Sequence, residues 1–129
     1  MKIRFAKYDF DGPYAAARWT PPSHGGIFAV MVYDPAYNPL PYRVVYFGQA
    51  HDLSNRGLLR AHPKYADWVA AAGGARGLHV ATYGMPGSTE MTRLAVETHL
   101  IHHYQPECNE PFTGAAPAVK KALRTHKYN

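Results

Sequence analysis

The apolar positions of the chain fall into short runs separated by turn residues. Residues 27–33, Ile-Phe-Ala-Val-Met-Val-Tyr, are apolar, branched or aromatic throughout and predict a strand. Residues 43–47, Arg-Val-Val-Tyr-Phe, predict a second strand that ends at Gly48. Three prolines lie between them in 34–41. Proline fixes φ and lacks a donor N–H, so the two strands are expected to pair antiparallel across a long loop. Residues 78–83 predict a third strand, and 3–10 is a candidate edge strand in front of the others. Residues 52–60 predict a short helix with Asp52 as its N-cap, weakened by Gly57. Pro63 fits the first turn of another helix that continues through 65–72 and ends at Gly73-Gly74. Ser88 is the expected cap of a long helix running to Tyr104, with Pro106 stopping it. Residues 106–114 read as loop and 118–125 as a last short helix. This order predicts an α+β fold. Its centre is a mostly antiparallel three-stranded sheet flanked by helices, with an optional extra N-terminal strand.

The same periodicities assign faces. Alternation puts Val44 and Tyr46 on one side of the second strand and Val45 and Phe47 on the other. Phe28 on the neighbouring strand is expected to share a face with Tyr46. On the long helix, Leu94, Glu97, Ile101 and Tyr104 line up along one side. A carboxylate beside an apolar stripe is expensive to bury unless it is paired or holds a metal. Glu97 therefore has two readings: an intrahelical salt bridge with Arg93, four residues earlier, or a ligand for Mg²⁺, which needs few protein ligands because it keeps several waters. Arg56 is either an ordinary surface arginine or a rigid, always-charged fork for phosphate oxygens. Tyr46 is either core packing or a hydroxyl that reaches a site. Trp68 is either packing of the second helix on the sheet or a platform for a base. His99 and His103 have the i, i+4 spacing of a transition-metal pair, without an evident third ligand.

Composition narrows the class. The chain has 129 residues, 47% hydrophobic and 18% charged, which suits one globular domain and not a disordered segment. No run of 18 apolar residues occurs, and no apolar stretch follows the basic start, so a cytoplasmic protein is expected. The single cysteine, Cys108, excludes an internal disulfide framework and a Cys-rich zinc site. The formal charge of +5 is uneven. Residues 1–111 are nearly balanced, whereas the end of the chain carries Lys120, Lys121, Arg124 and Lys127 and no acid. Such a tail attracts phosphate backbones without reading sequence, or simply solubilises a helix end.

Taken in order, five features resemble the GIY-YIG nuclease family. Gly26-Ile27-Phe28 stands where that family has Gly-Ile-Tyr, and Tyr46-Phe47-Gly48 where it has Tyr-Ile-Gly. Arg56 follows ten residues after Tyr46, as the family's helical arginine does. Glu97 matches the metal-binding glutamate of the long helix, and Pro106-Glu107-Cys108-Asn109 matches a following Pro-x-x-Asn. The resemblance spans about residues 25–111, leaving 1–24 as an N-terminal extension and 112–129 as a basic C-terminal helix or tail. There are departures. Phe28 lacks the first motif's hydroxyl, and the hairpin loop is longer than in compact members. Gln49 stands where some members place lysine, and Arg60 where others carry histidine or tyrosine.

The resemblance implies a metal-dependent endonuclease that hydrolyses DNA phosphodiester bonds with Mg²⁺ or Mn²⁺. Glu97 would hold the metal. Arg56 would bind the scissile phosphate, and Tyr46 would orient or activate water. His51 and His62 are candidate bases, because imidazole titrates near neutrality. Gly26 and Gly48 would allow close backbone approach, with Phe28 packing beside Tyr46. Asn109 would hydrogen-bond near the metal or pin the loop after the long helix. Relatives serve in repair, recombination, restriction and mobile-intron cleavage. With little room for a targeting domain, this chain would rely on a second copy, a partner protein or low sequence preference. An inactive nucleic-acid-binding module of the same fold is the alternative.

Overall fold

The computed structural model of the chain describes residues 1–110. The expected C-terminal helix and the basic residues Lys120, Lys121, Arg124 and Lys127 lie outside the described residues. The described part is an α+β domain: an antiparallel sheet flanked by two helices. The strands are β1 (Lys2–Phe5), β2 (Tyr8–Ala15), β3 (Gly26–Tyr33), β4 (Tyr42–Ala50) and β5 (Leu78–Gly84). The helices are α1 (Tyr65–Ala72) and α2 (Glu90–Tyr104). Spatial order is β1-β2-β5-β3-β4, every neighbouring pair antiparallel. No helix among the described residues is long and apolar enough to cross a membrane.

The sheet has five strands, not three. The expected single edge strand over 3–10 is a hairpin, turned at Ala6 with φ at 53°. Its second strand joins β5, so residues 2–15 belong to the same sheet as the rest. Phe5 and Phe10 explain this placement. They meet edge to face at 5.1 Å, and Phe5 also packs on Phe47 at 5.2 Å and Tyr104 at 5.5 Å. The Tyr104 hydroxyl accepts the Ala6 N–H at 2.6 Å and ties the hairpin turn to α2.

Each sheet face carries its own core. Under α2 lie Phe5, Phe10, Ile27, Ala29, Met31, Val44, Phe47, Ala81 and Leu100. Under α1 and the segment before it lie Phe28, Val30, Val45, Leu53, Trp68, Val80 and Cys108. Trp68 is fully buried, which removes the base-platform reading.

Strict alternation fails in β4. Tyr46 pairs with Val30 and Val44 with Met31, so Val45 is an extra residue in a bulge. A bulge resets the two-residue period. Val45 and Tyr46 therefore share the α1 face, while Val44 and Phe47 share the α2 face. The predicted pairing of Val44 with Tyr46 is corrected, and the predicted pairing of Phe28 with Tyr46 holds, with ring centroids 6.0 Å apart.

The predicted helix over 52–60 is a run of turns. Backbone bonds close every three residues, from Asn55 N–H to Asp52 O and from Leu58 N–H to Asn55 O. The cause is local. The Asp52 carboxylate accepts the Ser54 N–H and hydroxyl at 2.9 and 2.7 Å, and the Asn55 side chain accepts the Gly57 N–H at 2.9 Å. Such bonds offer the backbone an alternative to helix. Helix α1 starts only at Tyr65, two residues past Pro63, and ends on Gly73 with φ at 73°, a left-handed cap suited to glycine.

Helix α2 is capped by Thr89, whose side chain accepts the Thr92 N–H, not by Ser88. The Ser88 hydroxyl instead accepts from Arg93 Nη1 at 3.0 Å. The inward stripe of α2 runs through Arg93, Val96, Glu97, Leu100, Ile101 and Tyr104, and Leu94 falls outside it, 41% exposed. After α2, Asn109 closes the free edge of β4. Its Oδ1 accepts the Phe47 N–H and its Nδ2 donates to Phe47 O, both at 2.9 Å, while Cys108 N–H donates to Val45 O at 2.9 Å. A side-chain amide thus does the work of a sixth strand at this edge.

Replacing Asn109 with Ala should cost about 1–3 kcal/mol by leaving a strand donor and acceptor unpaired. Urea denaturation measures the loss, and the Phe47 amide should become one of the faster-exchanging amides of β4.

Candidate functional site

The site assembles around Tyr46. Phe28 on β3 lies across from Gly48 on β4. A Cβ at Gly48 would sit 2.7 Å from Phe28 Cε1 and 2.9 Å from Tyr46 Cε2, with Phe28 Cζ closer still. Glycine at 48 is what lets both rings lie flat against the strand. Gly26 is equally confined, since a Cβ there would press on the Tyr83 carbonyl and lie 3.0 Å from Leu53 Cδ1. These two motif glycines serve close packing at the ends of the paired strands.

On the outer side of Tyr46 stands His62, from the loop before α1. Its Nε2 lies 3.2 Å from the Tyr46 hydroxyl, and its Nδ1 accepts the Lys64 backbone N–H at 3.0 Å. Trp68 backs the pair, with centroids 5.0 Å from Tyr46 and 4.7 Å from His62. Burial lowers the His62 pKa, with the Lys64 charge adding to it, so the ring is neutral near pH 7. Tyr46 is pushed up to about 12, first by burial and then by the charge of Glu97. The hydroxyl therefore keeps its proton at neutral pH.

Glu97 approaches from the other layer, on α2. The expected salt bridge with Arg93 is not formed. Arg93 is 4% exposed and donates from Nε to Gln49 Oε1 at 2.8 Å and from Nη1 to Ser88 O at 2.8 Å. Glu97 is half-buried and has no ion pair among the described residues. Burial raises its pKa, and the Gln49 backbone N–H pulls the other way. A half-buried carboxylate without a cation, electrostatically felt at the Tyr46 hydroxyl, is a polar group that packing alone does not explain.

The remaining sequence candidates divide. Phe28 sits in the core, 1% exposed, and offers no polar group. Arg56 is exposed on the turn run and makes no hydrogen bond or ion pair among the described residues. Arg60 is likewise exposed. His51 is exposed and does not contact Tyr46, whereas His62 does. Asn109 pins the loop to β4 at Phe47, next to Tyr46. Two contributors, Gln49 and Arg93, gave little sequence signal. Gln49 follows the strand-ending glycine and Arg93 stands one turn before Glu97, but only the folded packing joins them.

Among the described residues, no group of three or more His, Cys, Asp or Glu side chains is placed to hold a metal ion. Glu97 thus stands as a lone carboxylate, without a second carboxylate, histidine or cysteine grouped with it to make such a set among the described residues. No family model, no curated protein and no solved structure matches this chain.

Two outcomes follow from this geometry. Gly48→Ala should destabilise the fold by about 1–3 kcal/mol through overpacking, and Phe28→Leu should recover part of that loss in the double variant. For Glu97 the sign is set by its raised pKa. The protonated form suits the fold, so that contribution is present below the unfolded carboxyl pKa and is lost as pH rises through the folded one. Glu97→Gln should therefore be more stable than the natural chain at pH 7. The gain should stay under about 1 kcal/mol for a part-exposed group and vanish below about pH 4. Thermal melts across pH measure it.

Proposed function

We propose that the chain is a divalent-metal-dependent endonuclease of the GIY-YIG type, acting on DNA. The observation that carries this reading is the pairing of a hydrogen-bonded Tyr46–His62 couple with Glu97, a half-buried carboxylate without a cation whose charge reaches the same hydroxyl. The ordered motifs Gly26-Ile27-Phe28, Tyr46-Phe47-Gly48, Glu97 and Asn109 support it, as does an antiparallel sheet flanked by two helices.

In this reading Glu97 would hold the metal, a hard cation that needs few protein ligands. The bound ion would lower the pKa of a coordinated water and polarise the phosphate. Arg56 reaches the developing negative charge on the phosphoryl oxygens from its exposed turn, drawn in by the substrate. Tyr46 fixes the orientation of water and phosphate beside it. His62 holds Tyr46, and Trp68 holds His62. Phe28 and Gly48 form the apolar floor. DNA is the partner by chemistry. In the family that the motifs resemble, such enzymes serve in repair, recombination, restriction and mobile-intron cleavage, and here a second copy or a partner protein would supply specificity.

One observation favours the alternative of an inactive nucleic-acid-binding module. Phe28 fills the first motif's tyrosine position as a sealed core residue, so one hydroxyl of the family's site is absent.

Purified protein should cut plasmid, single-stranded or branched DNA with Mg²⁺ or Mn²⁺ and not in EDTA. Glu97→Ala and Arg56→Ala should each reduce the rate about 10²-fold or more. DNA binding without metal-dependent cleavage would transfer the assignment to the binding module.

A further inference from the structure

The hydrogen-bond pattern around His62 settles which way its proton points. The Lys64 backbone N–H can only donate, and it donates to Nδ1 at 3.0 Å. Nδ1 must therefore carry a lone pair. A neutral imidazole has one N–H, and here it falls on Nε2. Nε2 lies 3.2 Å from the Tyr46 hydroxyl, so His62 donates and the phenol oxygen accepts.

The tautomer is held by packing as well. Lys64 immediately precedes α1, so its N–H is fixed by the start of the helix. The imidazole lies over Trp68 at 4.7 Å and meets Phe28 edge-on at 6.3 Å. Exchanging the two nitrogens would need a ring flip within this stack. Protonating the ring would turn an Nδ1–H against the Lys64 N–H, setting two donors face to face. With Nε2 already protonated and the Nδ1 lone pair engaged by the Lys64 N–H, His62 is a poor base at both nitrogens.

Tyr46 in turn cannot give its proton to His62. No other acceptor among the described residues takes it. The hydroxyl is left with a free proton and an oxygen already engaged.

We infer that His62 is a positioning donor to Tyr46 and not a base, and that Tyr46 serves as a hydrogen-bond donor to a non-bridging oxygen of a phosphodiester. This rests on the proposed nuclease reading for the identity of the substrate, but not for the direction of the His62 bond. It assigns the histidine a role opposite to that of a general base. It also explains how a tyrosine that keeps its proton contributes to phosphate chemistry. In a low-dielectric pocket a preorganised O–H stabilises charge on a phosphoryl oxygen better than water does.

Two experiments on the full chain test it. Long-range ¹H–¹⁵N correlation spectra of the His62 ring at pH 7.5 should show the proton on Nε2, and a proton on Nδ1 would overturn the inference. The second compares His62→Gln with His62→Leu in metal-dependent DNA cleavage. Gln can present an N–H near the position of Nε2 but cannot act as a base. His62→Gln should stay within about tenfold of the natural chain, while His62→Leu should fall about 10²-fold, the usual effect of losing one aligned donor. Equal loss in both, with unchanged far-ultraviolet dichroism, would mean that His62 is a base and would overturn the inference. The ring spectra need no activity. A natural chain that cuts nothing yet carries its proton on Nε2 would retain the donor assignment and reject the nuclease reading.

Discussion

One extra residue in β4 decides which layer Tyr46 belongs to. Without the bulge at Val45, alternation from Val44 would send Tyr46 to the α2 face, beside Met31, and turn Phe47 to the other face. The tyrosine would then be core packing, and His62 and Trp68 would have no partner on the strand. With the bulge, Val45 and Tyr46 lie side by side on the α1 face while Phe47 remains in the opposite core. The edge cap sits on the same stretch of β4: Val45 O accepts from Cys108, and Asn109 clasps Phe47 just beyond it. The loop after α2 thus stabilises the irregularity that aims the candidate site.

The site inherits a division between layers. Tyr46, His62, Phe28 and Trp68 belong to the α1 layer, and Glu97, Gln49 and Arg93 to the α2 layer. Strand β4 carries members of both. Each layer is held for its own reason: apolar and aromatic contacts on one side, and on the other a buried guanidinium that binds the end of β4 to the turn before α2. Glu97 is the exception, a half-buried carboxylate that costs stability as it stands. Functional groups are where local packing rules are expected to be broken.

The legible part of the fold was the part fixed by local pattern. Strands β3, β4 and β5 follow from branched and aromatic runs. Helix α2 follows from its cap region and from Pro106, although the cap itself is Thr89 because Ser88 is recruited by Arg93. The N-terminal hairpin was hidden because its pairing with β5 is set by aromatic contacts between Phe5, Phe10, Phe47 and Tyr104, distant in sequence. The turn run over 52–60 reads as helix because Asp52 suits an N-cap, whereas Asp52 and Asn55 satisfy the backbone locally instead. Within the site, Tyr46, Glu97 and Asn109 could be picked out from motif spacing. The roles of His62, Gln49 and Arg93 could not, because they rest on bonds across 16 and 44 residues that no local pattern encodes.

In the proposed function Glu97 and Tyr46 serve one cation and phosphate site across β4. Substoichiometric Mn²⁺ added to the full chain, read by paramagnetic broadening in ¹H–¹⁵N and aromatic ¹H–¹³C spectra, tests it most directly. Loss of signal centred on Glu97, the Gln49 amide and the Tyr46 ring, reversed by Mg²⁺ and absent in Glu97→Gln, is the predicted result. Broadening confined to His99 and His103, with Gln49 and Tyr46 untouched, would contradict it.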